Sequence, residues 1–177
     1  GPVVCAYDAD QAFEACTGTL ILPAFLRAIT EYMSMFKTSY ISVRKGIRMD
    51  TRPDDRGYGS GWVCFSMREL ARVIHAACAL PYAIVGNLVV SQRGMSIGGI
   101  PSKCCLSILF CDREAEWLRN GVRSFIPGYD CTRLISVFRY VDDVCTVSWY
   151  VCEQCQPIYV QHIYGPVCSM SPCSVKQ

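Results

Sequence analysis

The stretch FRYVDDVCTV, residues 138–147, decides the fold that this sequence favours. Two adjacent acidic residues, Asp142 and Asp143, interrupt an apolar run that is rich in β-forming side chains. This pattern predicts two strands joined by a tight turn. Aspartate is common in turns. However, strongly apolar strand residues on both sides favour a second explanation, a bound cation that neutralises the two carboxylates.

A third carboxylate stands at a comparable place near the start of the chain. Residues 3–7 form a short apolar run that is typical of a buried strand, and Asp8 follows directly. Three carboxylates carried by neighbouring strands could hold two Mg²⁺ ions roughly 3.5–4 Å apart. We therefore predict a site in which Asp8, Asp142 and Asp143 bind two Mg²⁺ or Mn²⁺ ions. Such a site could activate an attacking hydroxyl and stabilise a leaving phosphate oxygen.

The rest of the pattern predicts an α+β fold. Three segments have helical spacing or helical composition: 21–36, 67–80 and 103–120. Residues 82–85 and 88–91 are typical of a β-hairpin around Gly86-Asn87, two residue types that tolerate positive φ. The charged, glycine-containing segment 44–61 is predicted as a loop. We expect an antiparallel sheet of three to four strands backed by two long helices, with the hairpin as an additional element.

Composition excludes several classes of protein. The 177 residues, of which 51% are hydrophobic and 18% charged, suffice for one core of ordinary size. The most apolar stretch, 71–90, is broken by charged residues, proline and glycine, so we expect no transmembrane helix and no membrane partner. Only two histidines are present, and neither lies near a plausible serine or cysteine nucleophile, which leaves hydrolase triads unsupported.

The thirteen cysteines are scattered through predicted strands and helices, and their number is odd. We therefore expect reduced, mostly buried thiols in an intracellular protein, nuclear or cytoplasmic, rather than a disulfide scaffold. One set has a spacing compatible with structural Zn²⁺: Cys152, Cys155, Cys168 and Cys173. Because so many other cysteines are present, chance spacing is the favoured explanation of this set.

Three segments, in order along the chain, resemble motifs of reverse transcriptases. The Tyr140 to Asp143 segment resembles the Tyr-x-Asp-Asp turn of motif C. DADQAFE, residues 8–14, resembles motif A, in which an aromatic residue follows the metal-binding aspartate by five positions. QRGMSIGGIPS, residues 92–102, is similar to motif B, although Ser96 and Ile97 depart from its usual residues. The hairpin before it is similar to one in Penelope-like and telomerase-like enzymes.

The resemblance covers most of residues 3–150. It implies a reverse transcriptase palm over residues 1–150 and a cysteine-containing tail over 151–177, at the end of the palm or the start of a thumb. The implied activity is that of an RNA-directed DNA polymerase of a retroelement or related lineage, which adds deoxynucleotides to a primer 3′-hydroxyl on a template RNA. Fingers and thumb are not recognisable, so we expect the 177 residues to be inactive by themselves. The alternatives are an RNA-dependent RNA polymerase palm and a non-catalytic nucleic-acid-binding module.

The same resemblance implies roles for individual residues. It makes Asp8, Asp142 and Asp143 the catalytic metal ligands, with the backbone carbonyl of Ala9 completing one coordination shell. Phe13 would lie beneath the sugar of the incoming nucleotide and clash with a 2′-hydroxyl, which favours DNA synthesis over RNA synthesis. The implied contacts to template, primer or nucleotide come from Gln92, Gly94, Gly98, Gly99, Ser102 and Tyr140.

Four of these residues have simpler explanations, which the sequence leaves open. Phe13 could be an ordinary core aromatic residue, and Gln92 a solvated residue at a strand end. Ser102 could be a helix N-cap. Tyr140 could be a core tyrosine with a hydrogen-bonded hydroxyl.

Overall fold

The computed structural model describes residues 1–44, 46, 50–54, 61–79, 82–91, 94–95, 101–121 and 133–173. The elements, in chain order, are β1 (Val3–Ala9), α1 (Ala12–Ala15), α2 (Gly18–Phe36), β2 (Tyr40–Arg44), β3 (Asp50–Arg52), β4 (Trp62–Ser66), α3 (Met67–Ala79), β5 (Tyr82–Val85), β6 (Leu88–Ser91), α4 (Ser102–Glu116), a π-helical turn (Trp117–Gly121), β7 (Ser136–Tyr140), β8 (Asp143–Ser148), α5 (Gln156–Tyr164) and β9 (Met170–Pro172). This arrangement is the α+β fold that the sequence predicts.

The largest sheet joins strands from both ends of the described chain. Its order is β7-β8-β1-β9, and every neighbouring pair is antiparallel. Tyr7 on β1 pairs with Val144 on β8, and Asp8 pairs with Ser171 on β9. The four strands confirm the predicted size of the sheet. The two long helices are α2, with 19 residues, and α4, with 15.

One face of this sheet is buried and the other is open. Tyr7, Ala9 and Val144 belong to the hydrophobic core, to which α2, α4 and α5 also contribute buried side chains. Successive side chains of a strand point to opposite faces. Asp8 and Asp143, each adjacent to one of these core residues, are accordingly exposed. The alternation thus presents carboxylates on the solvent side of the sheet.

Several boundaries differ from those predicted. Helix α2 begins at Gly18, three residues before the predicted segment 21–36, and Pro23 lies inside it. The predicted loop 44–61 contains β3, which pairs with β2, while β4 pairs with the other edge of β2. All three residues of β3 are exposed, so backbone pairing holds this strand without an alternating apolar pattern.

The predicted hairpin is present as β5 and β6. Val85 pairs with Leu88, which leaves Gly86 and Asn87 as a two-residue turn. Only Gly86 has a positive φ, 62°, so the turn is of the II′ kind rather than one with positive φ at both residues. Apolar side chains of both strands are exposed, including Ile84 and Leu88.

The cysteines that the structure describes are all free thiols. Within this group only Cys16, Cys105 and Cys168 are buried, so the expectation of mostly buried thiols is wrong for the described residues. Many of the others lie on the outer sides of helices or in turns, where a small side chain needs no burial. No helix in the described ranges is both long enough and apolar enough to cross a bilayer.

Candidate active site

The register of β1 and β8 places Asp8 and Asp143 side by side. Tyr7 and Val144 are the last residue pair of the two antiparallel strands at this end of the sheet, and Asp8 and Asp143 are the residues that follow it. Asp142 lies in the turn that joins β7 to β8, because Tyr140 pairs with Asp143. The three carboxylates predicted from the sequence therefore lie at one end of the sheet.

Two thiols at this end of the sheet lie in the electrostatic field of the carboxylates. Burial, together with the nearby negative charges of Asp10, Asp142 and Asp8, raises the pKa of the Cys168 thiol to about 11. Burial and the charges of Asp8 and Asp143 also raise the pKa of Cys173. Asp8 therefore acts on both thiols, Asp142 on Cys168 and Asp143 on Cys173.

These carboxylates have no protein cation as a partner in the described part of the chain. The ion pairs found there join other acidic residues to arginines, and none includes Asp8, Asp142 or Asp143. Like charges placed directly opposite each other on neighbouring strands are destabilising. A bound divalent cation would neutralise them, and their oxygen atoms suit Mg²⁺ or Mn²⁺.

The site is open rather than a closed cage. Across the described ranges, no three His, Cys, Asp or Glu side chains are grouped closely enough to hold one ion. Magnesium is usually bound through one or two carboxylates, together with water and substrate phosphates. A pair of carboxylates exposed at the end of a sheet therefore fits Mg²⁺ in the presence of a phosphorylated substrate.

The turn that carries Asp142 has an unusual backbone and its own support. Val141 has φ 58°, a conformation that β-branched residues rarely adopt. The Arg139 guanidinium donates a hydrogen bond from Nη1 to the Val141 carbonyl oxygen at 3.1 Å and one from Nε to Glu114 Oε1 at 2.6 Å. The Tyr164 hydroxyl donates to the same Glu114 oxygen at 2.8 Å. This network ties the turn to α4 and α5.

Arg139 and Glu114 are site residues that the sequence does not reveal. They are 25 positions apart, and Arg139 directly precedes the Tyr140 to Asp143 segment without being part of it. In the sequence, the indication is a charged residue at a strand position. In the structure, the Arg139 side chain is 11% exposed, and a charged side chain that is so nearly buried requires a partner.

Residues 94 and 95 lie against helix α1, which carries Phe13. The Met95 amide donates to the Phe13 carbonyl oxygen at 2.9 Å, and Met95 is buried. Gly94 has φ 73°, and a Cβ atom there would lie 2.4 Å from the carbonyl oxygens of Phe13 and Glu14. The structure therefore brings the first described part of the motif B-like segment onto the motif A-like segment. Phe13 itself is partly buried and packs against the core.

The other predicted contact residues fall in different environments. Tyr140 is 77% exposed and pairs with Asp143, which rules out the alternative of a core tyrosine. Ser102 is buried as the first residue of α4, and Pro101 holds the N-cap position. The Ser102 side chain is therefore not the N-cap, and it is not accessible to a template in this structure. Ala9 ends β1, opposite Met170. Gln92, Gly98 and Gly99 lie outside the described residues.

The four cysteines of the predicted zinc set are not brought together. Cys152 and Cys155 interact with each other in the turn before α5. Cys168 and Cys173 instead flank β9, near the carboxylates of β1. The described part of the chain thus does not form the tetrahedral arrangement, because the two pairs belong to different elements.

The fold is similar to part of telomerase. Telomerase from Candida albicans, in complex with a TWJ fragment of telomeric RNA, matches with a TM-score of 0.59 and 14% identity over 99% of this chain and 28% of that chain. Apo telomerase from Candida tropicalis matches with a TM-score of 0.58 and 12% identity over 96% of this chain and 27% of that chain. Telomerase from Candida tropicalis in complex with the TWJ fragment of telomeric RNA matches with a TM-score of 0.59 and 8% identity over 99% of this chain and 26% of that chain.

No protein-family model matches the sequence. No curated protein matches it at a significant level. The chain spans between 26% and 28% of the length of these telomerase chains. At such low sequence identities, the similarity concerns the fold alone. The chain therefore shares its fold with part of telomerase.

Proposed function

We propose that this chain is the palm of an RNA-directed DNA polymerase, which transfers deoxynucleotides to a primer 3′-hydroxyl on a template RNA. The observation that carries the proposal is that Asp8, Asp142 and Asp143 lie at the same end of the sheet, and that no ion pair among the described residues includes any of them. The fold shared with part of telomerase supports it. Telomerase solved with an RNA fragment supports a nucleic-acid partner.

The carboxylates would hold the divalent ions in this proposal. Asp8 and Asp142 would be the principal ligands and Asp143 the third, with the Ala9 carbonyl completing a shell. When bound, Mg²⁺ supplies charge neutralisation for the attacking hydroxyl and the leaving phosphate oxygen. The protein's own contribution is positioning. The antiparallel pairing of β1 and β8 sets the spacing of the carboxylates before substrate arrives.

Two aromatic residues would contact the substrates. Tyr140 projects from the edge strand β7 beside Asp143, where its exposed ring could pack against the primer terminus. Phe13 follows β1 on helix α1, and its backbone is fixed by Met95. A ring held in this way would exclude a 2′-hydroxyl and select deoxynucleotides over ribonucleotides.

Binding of Mn²⁺, measured by electron paramagnetic resonance on the whole chain with a deoxynucleoside triphosphate present, tests the proposal. We expect saturable binding that Asp8→Asn and Asp142→Asn each weaken about tenfold or more, because each removes a charged ligand. Asp50→Asn is the matched control, because Asp50 is an exposed aspartate on β3, in a different sheet. It should leave the affinity unchanged.

The contrary result would be equal Mn²⁺ affinity in the wild type and in both site variants, with nucleotide present. The carboxylates would then not form a metal site, and a non-catalytic nucleic-acid-binding module would become the better explanation of the fold. Circular dichroism of each variant would establish that a lost affinity does not reflect a lost fold.

A further inference from the structure

Cys152 and Cys155 form a pair of exposed thiols that the proposed function does not use. They lie in the turn that leads into helix α5. The amide of Cys155 donates to the Cys152 carbonyl oxygen at 3.0 Å, and the amide of Gln156 donates to the same oxygen at 3.1 Å. These two hydrogen bonds close a compact turn with one cysteine at each end.

The geometry of this turn suits a disulfide bond. A turn of four residues holds its terminal Cα atoms within about 7 Å of each other. Disulfides join residues whose Cα atoms are about 4.4–6.8 Å apart. The main-chain hydrogen bonds of the turn therefore hold the two cysteines within this range. Oxidation therefore requires little movement of the backbone.

The two thiols are not equivalent. Hydrogen bonds from the Cys155 side chain and backbone amide lower the pKa of Cys152. The same side-chain hydrogen bond raises the pKa of Cys155. Since the thiolate is the nucleophilic form, Cys152 is the attacking residue and Cys155 the resolving residue. By contrast, burial raises the pKa of the Cys168 thiol to about 11, which makes that residue inert.

We propose that Cys152 and Cys155 form a reversible thiol–disulfide site that exchanges with small-molecule disulfides such as oxidised glutathione. The Cys152 thiolate attacks one sulfur of the small disulfide, forms a mixed disulfide and releases one thiolate. The Cys155 thiol loses its proton to water and attacks the Cys152 sulfur, which releases the second thiolate. The protein gives up two electrons and two protons, and the small disulfide is reduced to two thiols.

The residue after this pair connects the turn to the sheet. Gln156 is fully buried and donates from Nε2 to the Val151 carbonyl oxygen at 3.1 Å and to the Val3 carbonyl oxygen at 3.3 Å. Its Oε1 accepts a hydrogen bond from Thr146 on β8. Oxidation would thus stiffen a turn that is anchored to Val3 on β1 and to Thr146 on β8. The redox site uses none of the residues proposed for polymerase activity.

Equilibration of the whole chain in buffers of graded reduced-to-oxidised glutathione ratio tests this site. Samples are quenched with acid, alkylated and cleaved with chymotrypsin, which cuts after aromatic residues. Cleavage after Tyr150 and Tyr159 releases residues 151–159, which contain only these two cysteines. We expect this peptide to lose two hydrogens and resist alkylation at ratios where Cys104, an exposed thiol on α4, is still alkylated. Dithiothreitol should restore alkylation.

Two variants separate the roles of the pair. Cys155→Ser keeps a hydroxyl donor next to Cys152, so we expect it to accumulate the mixed disulfide with glutathione at Cys152. Cys152→Ser should leave Cys155 largely alkylated under the same conditions. The proposal is overturned if residues 151–159 stay fully alkylated at ratios that already modify Cys104, or if both cysteines of the wild type carry glutathione without joining. Both positions are exposed, so the fold should survive either substitution.

Discussion

At the scale of single residues, Gly94 is held by both its backbone conformation and its close contact with helix α1, so its substitution tests whether that contact contributes to stability. Its φ of 73° and the carbonyl oxygens of Phe13 and Glu14 both oppose a Cβ atom. We expect Gly94→Ala to lower the free energy of unfolding by about 2–5 kcal/mol, from left-handed strain plus steric overlap. Urea denaturation measures the loss.

Gly86→Ala is the control for backbone strain alone. Gly86 has φ 62°, but nothing lies within 4 Å of the position that its Cβ would take. Its substitution should cost about 1–2 kcal/mol. If the two alanine variants lost the same free energy, the close approach of Gly94 to helix α1 would not contribute to stability.

Phe13 supports a second prediction, which depends on the proposed function. Phe13→Ala should reduce the preference for a deoxynucleotide over a ribonucleotide by about tenfold, because the ring no longer occupies the space of a 2′-hydroxyl. Competition between the two nucleotides in the Mn²⁺-binding experiment measures this preference. Phe36→Ala, which removes an exposed ring on α2, should leave it unchanged. An unchanged preference in Phe13→Ala would contradict the role of the ring.

Individual residues were predictable where their chemistry conflicts with their surroundings. Two adjacent aspartates between apolar strands are an example. As predicted, Asp142 and Asp143 lie where strand β7 turns into strand β8. Ser102 was not predictable, because its burial depends on how α4 packs and not on neighbours in sequence. The partnership of Arg139 with Glu114 likewise arises only when α4 and β7 meet.

At the scale of elements, Arg139 connects the β7–β8 turn to two helices. Arg139→Gln removes the donor to the Val141 carbonyl and leaves the half-buried Glu114 without its cation but with the Tyr164 hydrogen bond, which costs about 1–3 kcal/mol. We expect that loss of unfolding free energy, together with weaker Mn²⁺ binding because the turn that carries Asp142 is less well held. Urea denaturation and Mn²⁺ titration measure the two effects.

The controls for Arg139 separate its geometry from its charge. Arg139→Lys keeps the charge but lacks the fork that reaches Val141 and Glu114 together, so it should restore only part of the Mn²⁺ affinity. Arg119→Gln breaks an exposed pair with Glu31 and should cost no more than about 1 kcal/mol. Mn²⁺ affinity at the wild-type level in Arg139→Gln would show that the turn does not depend on this network.

Elements were predictable when one of their faces is clearly apolar. Helix α5 was missed although it has a helical pattern of burial, at Gln156, Tyr159, Val160, Ile163 and Tyr164. The pattern is hidden in the sequence because its first buried residue is a polar glutamine and Ile158 is exposed. Strand β3 gave no signal, since all its side chains are exposed.

At the scale of the whole molecule, the carboxylates come together only when the chain is folded. Asp8 on β1 and Asp142 in the β7–β8 turn are far apart in sequence, so an unfolded chain has no such site. A cation that binds only the folded state stabilises it by about 2.7 kcal/mol at a concentration 100 times its dissociation constant. We expect Mn²⁺ with nucleotide to raise the melting temperature of the wild type.

Asp142→Asn should show little of this stabilisation, although it folds to the same structure. Differential scanning fluorimetry with and without Mn²⁺ compares the two proteins directly. An equal rise of melting temperature in both would mean that the ion acts elsewhere on the molecule.

The pairing of β1 with β8 also has a consequence for synthesis of the protein on the ribosome. Val3 pairs with Ser148, so β1 emerges long before its partner is made. At about 5–20 residues per second, this interval is roughly 7–30 seconds. During that time an apolar strand has neither neighbour in the sheet, and chaperones can bind it. The yield of folded protein in cells should therefore depend on chaperone capacity and on the speed of translation.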